Sequence, residues 1–124
     1  MTLSFDEPDL AGAVERLDSE AVDALPFGAV HVDAGGVVRF FSKAEQRLSG
    51  FGDRPRLGLN FFQQIAPCMD KPEFRGQIER ALAAGRLDLE FGWVGDFSDA
   101  VRGMRVRAQS AGAGGYWLFM QREG

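Results

Sequence analysis

The sequence predicts an α+β domain in which a five-stranded antiparallel sheet carries helices on one face, with an N-terminal helical cap. Three observations lead there. Helical periodicity is confined to short stretches between residues 8 and 85, while the rest of the chain alternates with the period of strands. Glycine punctuates both regions: there are 16, many in clusters such as "AGG", "SGFG" and "AGAGG". Such clusters favour several short elements joined by tight turns over a few long helices.

The elements follow in order. Residues 8–24 read as helical, because Leu10, Val14 and Leu17 recur at helical spacing behind Pro8, whose missing N–H costs nothing at a helix start. Ser19, Val22 and Leu25 add a second short turn. "GAVHVD" (28–33) and "VVRFF" (37–41) are β-branched and aromatic and are joined by "AGG", so they form a hairpin. "SKAEQRLSG" (42–50) is a short helix with Ser42 as its N-cap and Gly50 as its stop. "FFQQIAPC" is a short helix broken at Pro67. "KPEFRGQIERALAAG" (71–85) is the strongest helix, with Phe74, Ile78, Ala81 and Leu82 on one face and Gly85 at its end. Three strands follow: "LDLEFGWV", "GMRVRAQ" and "GYWLFMQRE". In the second, Arg105 and Arg107 alternate with apolar residues, and with Arg102 they read as one exposed strand face. Residues 1–25 are expected to form the cap and 26–124 the core of a single domain, with no output domain attached.

Composition narrows the function. The 124 residues carry a net charge of −4, which argues against a nucleic-acid partner. No apolar run reaches the ~18 residues of a membrane span, and "MTLSFDEPDL" lacks the features of a secretory signal. The single cysteine cannot form an internal disulfide, which fits the cytoplasm. With one His and one Cys, a metal centre is not expected. A cysteine nucleophile needs an oriented base, and nothing in the sequence places His31 near Cys68, so no catalytic residue is assigned. Taken singly, Cys68 reads as a small core hydrophobe and Glu45 in "KAEQR" as a solvated helix residue. His31 reads as structural. Phenylalanine occurs 11 times against one tyrosine, so the aromatic groups are nearly all without a polar handle.

"FFSKAEQRLSGF" followed by "LGLNFFQQIAP" resembles the PAS domain. More specifically, "LPFGAVHVD", "AEQRLSG", "NFFQQIAPC", "KPEF" and "GYWLFMQR" run in order through a chain that resembles the photoactive yellow protein family. The resemblance implies the PAS fold. It implies that Cys68 matches the cysteine carrying p-coumaric acid as a 4-hydroxycinnamoyl thioester. It also implies that Glu45 matches the buried glutamic acid that hydrogen-bonds the pigment's phenolate.

Those assignments fit the chemistry of the residues. Pro67 fixes the backbone before Cys68. Phe61 and its neighbours can wall an apolar slot for a planar aromatic acid. A phenolate in such a slot needs donors, and a carboxyl group kept protonated by desolvation is one. Ser49, four residues after Glu45 and on the same helix face, is an auxiliary donor. Three positions depart from the family. Phe41 stands where the family has a tyrosine that donates to the phenolate, Phe51 where it has an arginine lid, and Gly95 where it has an aromatic wall. Arg54 and Arg56 are candidates to cover the opening instead.

The predicted function is a cytoplasmic blue-light photoreceptor that binds p-coumaric acid on Cys68, with Glu45, Ser49, Phe41, Phe61 and Pro67 around it. It would signal through isomerisation, proton transfer from Glu45 and release of the N-terminal cap toward a downstream protein. The alternative is a light-independent PAS sensory or interaction module that has lost normal pigment binding through Phe41.

Overall fold

A computed structural model describes residues 3–49, 57–65, 70–94, 103–112 and 114–122. Its order is α1 (Leu10–Glu15), α2 (Ser19–Asp23), β1 (Gly28–Val32), β2 (Val38–Phe41) and α3 (Lys43–Ser49). π-Helical turns at Phe61–Ile65 and Pro72–Gly76 follow, the second running into α4 (Gln77–Ala83). β3 (Asp88–Val94), β4 (Gly103–Ser110) and β5 (Tyr116–Arg122) complete it. The five strands form one antiparallel sheet in the order β2-β1-β5-β4-β3, so the first and last strands meet at its centre.

Local chemistry explains the boundaries. The 8–24 region divides in two because Asp18 caps a new helix, its Oδ1 accepting from the Ala21 N–H at 2.9 Å. In the β1–β2 turn the Asp33 carboxylate accepts from the N–H groups of Gly35 and Val37, each at 2.9 Å. Gly36 supplies the positive φ of 89° that the turn requires. Those hydrogen bonds, led by the one from Val37, hold the Asp33 carboxyl below its usual value. Ser42 caps α3 as expected: its Oγ accepts from the Glu45 N–H at 3.0 Å and from the Ala29 N–H at 3.1 Å. One hydroxyl thereby starts the helix and ties it to β1.

Strand alternation sorts the side chains onto two faces. On one face Val30, Val32, Met104, Val106, Ala108, Tyr116, Leu118 and Met120 pack under Phe61, Phe62, Ile65, Phe74 and Ile78. On the other, Ala29, Trp117 and Phe119 pack under Phe5, Leu10, Ala11, Val14, Val22, Leu25 and Phe27 of the N-terminal segment. The main helical segment therefore covers one face and the N-terminal helices the other.

That arrangement corrects the reading of Arg105 and Arg107 as an exposed strand face. Arg107 is buried, 8% exposed, beneath the N-terminal segment. Its guanidinium donates to the carbonyls of Phe5 and Glu7 at 2.7 Å and of Pro8 at 3.2 Å. Arg105, still partly open, pairs with Asp6 at 2.7 Å and Glu90 at 3.0 Å and lies over the Phe5 ring. Strand periodicity shows that these residues share a face, but not that residues a hundred positions earlier cover it. Arg102 lies outside the described residues.

Candidate functional site

Glu45 is a buried carboxyl group on the helical face. Ser42 starts α3 directly against β1, so the first helical turn aims Glu45 down at the sheet. There it lies on Gly28, whose parity along β1 matches Val30 and Val32. A Cβ at Gly28 would collide with the Glu45 carboxylate, so the close approach needs a glycine. Glu45 is completely buried.

Its partner comes from the far end of the chain. Arg122 ends β5 on the same face as Tyr116, Leu118 and Met120. Its guanidinium donates from Nη1 to Oε1 and from Nη2 to Oε2, both at 2.7 Å. The Arg122 side chain is 3% exposed. Two short parallel bonds are the geometry of an ionised carboxylate on a guanidinium. The sequence reading, which expects a protonated acid beside a bound phenolate, assigns no role to Arg122. The signal was present in "YWLFMQR", where two-residue alternation carries Arg122 onto the face of the apolar residues before it.

The remaining predicted residues fall as follows. Phe41, on β2 opposite Val30, is half-buried and packs against the helical-face core, to which Phe61 belongs. Phe61 is completely buried and meets Phe62 edge-on at 5.2 Å between ring centroids. Glu45, Phe41 and Phe61 thus share one face of the sheet. Ser49 is the last residue of α3. Pro67 and Cys68 lie outside the described residues, as do Phe51, Arg54, Arg56 and Gly95. His31 is on the opposite face, stacked on Trp117 at 5.2 Å, with Nε2 donating to the Gly114 carbonyl at 2.9 Å. That is a structural role. Among the described residues no three His, Cys, Asp or Glu side chains converge as metal ligands, and no helix is long and apolar enough to cross a membrane.

The site thus joins one buried ion pair to a phenylalanine-rich core beneath α3, in a sheet whose other face carries the N-terminal helices. Solved structures that superpose on this fold define the class. The PAS domain of an HTR-like protein from Haloarcula marismortui superposes with a TM-score of 0.63 at 13% identity, over 90% of this chain and 98% of that one. At that identity the likeness is one of fold, and the fold is PAS. No family model matches the chain. A more similar structure is the photoactive yellow protein domain of the sensor histidine kinase Ppr from Rhodospirillum centenum. Its TM-score is 0.80 at 37% identity, over 90% of this chain and 98% of that one. The photoactive yellow protein of Rhodothalassium salexigens is 32% identical over 121 residues, 97% of each chain. That of Halochromatium salexigens is 29% identical over 119 residues, 95% of each chain. The chain belongs to the photoactive yellow protein family and is a PAS-type sensor of that kind.

Proposed function

We propose that the protein is a blue-light photoreceptor carrying p-coumaric acid as a thioester on Cys68, with Glu45 as the group that exchanges a proton with it. The observation that supports this most is Glu45 itself, a completely buried carboxyl group, paired to Arg122, on a face whose core is mostly phenylalanine and other apolar side chains. The described residues are of kinds that suit a planar phenolic acid. Phe41 and Phe61 offer apolar walls on the face where Glu45 offers a carboxyl group able to meet a phenol oxygen. Bound there, the pigment would supply visible absorption, light-driven isomerisation and a change in proton affinity.

The chain's own residues do the rest. Pro67 and Cys68 anchor the acid, and Ser49 at the end of α3 is an auxiliary donor. Phe41, lacking a hydroxyl, excludes water without donating. When Glu45 gives up its proton, a new negative charge sits against Gly28 in the core. The preceding residue, Phe27, belongs to the opposite cluster, 5.4 Å from the Phe5 ring and 6.2 Å from the Phe119 ring. A displacement at Gly28 therefore reaches the packing that holds residues 1–25 on the core of residues 26–124. Loosening of that cap toward a downstream signalling protein is the output we assign. The reading includes no catalytic residue, and a reducing cytoplasm suits its lone thiol.

The test is reconstitution with activated p-coumaric acid. Wild type should gain visible absorption and the mass of one covalent adduct, and Cys68→Ala should gain neither. Colour that survives Cys68→Ala sinks the thioester. No uptake by wild type leaves a light-independent PAS sensory or interaction module.

A further inference from the structure

We propose that Arg122 is the counter-ion and positioning residue of Glu45. It holds Glu45 as a carboxylate in the pigment-free protein and, in an extension that rests on the photoreceptor reading above, stabilises it whenever Glu45 has passed its proton on. Three features of the fold build the pair. The capped start of α3 aims Glu45 at the sheet, Gly28 leaves room for the carboxylate, and the alternation of β5 brings Arg122 onto the same face. Both oxygens are engaged at 2.7 Å, and both side chains are shut away from water. A buried carboxylate without such a partner would take up a proton, whereas one paired bidentately to a guanidinium keeps its charge.

A carboxylate oxygen has more than one acceptor site, so a guanidinium and a phenol are chemically compatible partners of one carboxyl group. The proton equilibrium is between carboxylic acid plus phenolate and carboxylate plus phenol. One proton moves between the two oxygens, and the net charge of the site is unchanged. A fixed cation bonded to Glu45 favours the negative charge on Glu45. Phe41 offers the phenolate no donor that would pull the other way. Arg122 thus sets how much of a bound pigment is ionised and how long the state with ionised Glu45 lasts.

Infrared spectroscopy of the pigment-free protein decides the first part directly. At neutral pH wild type should lack the carbonyl stretch of a buried protonated carboxyl group. Arg122→Gln should gain one, Arg122→Lys should not, and adding Glu45→Gln to Arg122→Gln should abolish it. A stretch in wild type that Glu45→Gln removes would overturn the proposal. So would a folded Arg122→Gln protein without the stretch. If Arg122→Gln does not fold, the wild-type comparison with Glu45→Gln still decides. In reconstituted protein, Arg122→Gln should raise the visible-absorbing fraction and shorten dark recovery by about tenfold or more, with Arg122→Lys close to wild type. Unchanged recovery would overturn the counter-ion role. Failure to take up pigment would overturn the photoreceptor reading, and the infrared result would still decide the ion pair.

Discussion

Phe41 and Glu45 share one face of the sheet, and between them they set what a phenolic pigment would meet. Phe41 presents a ring with no donor, while Glu45 presents a carboxyl group bonded to Arg122. Restoring the hydroxyl with Phe41→Tyr should stabilise a phenolate by one charge-assisted hydrogen bond. That contribution is about 1.5–3 kcal/mol and lowers the pigment's ionisation midpoint by about one to two pH units. A spectral pH titration of reconstituted wild type and variant measures it; coincident midpoints would remove Phe41 from the site. Residue by residue, the sequence was least informative where burial depends on distant chain. "KAEQR" looks solvated, and only the family resemblance marked Glu45 as buried. Arg122 could have been found from the alternation of its own strand, but an isolated arginine near a strand end gives no sign that a carboxylate lies opposite it.

At the scale of elements, local signals carried most of the information. Ser42 as an N-cap, the "AGG" hairpin and Gly85 at the end of the α4 region were all legible, since each is decided within a few residues. What alternation could not supply was the cover on each face. Arg107 looked exposed because its strand neighbours alternate cleanly, yet it holds three carbonyls of the N-terminal segment. Gln109 adds two contacts to that segment, its Oε1 accepting from the Ala11 N–H at 2.7 Å and its Nε2 donating to the Pro8 carbonyl at 2.9 Å. Arg107→Met should keep the aliphatic packing but leave those carbonyls without their donor. The expected loss is about 2 kcal/mol or more, in the range for buried hydrogen bonds to a charged group. Residues 3–25 should become the first site of limited proteolysis. Urea unfolding and proteolysis measure the two effects, and an unaltered cleavage pattern would contradict the assignment of Arg107 as the clamp.

The whole molecule is built on a sheet whose two covered faces share β1 and β5. Glu45 and Arg122 touch these strands from one side, and Phe27, Trp117 and Phe119 face the cap on the other. Tyr116, the only tyrosine, lies buried on the helical face, and burial pushes its phenol well above its usual value near 10. Because the folded value lies above the unfolded one, this contribution to stability is complete below about pH 10 and is lost as pH rises further. Tyrosinate absorption should therefore appear together with alkaline unfolding, and Tyr116→Phe should move that unfolding to higher pH. Ionisation near pH 10 in a protein that remains folded would contradict the burial.

The claim that light at the Glu45 face frees the cap on the other is tested most directly by illuminating the reconstituted protein. Absorption and amide hydrogen exchange would be followed together. The expected result is a visible band that bleaches under blue light and returns in the dark, with exchange accelerating across residues 3–25 while β1, β4 and β5 stay protected. A pigment-loaded protein whose spectrum and exchange are the same in light and dark would contradict it.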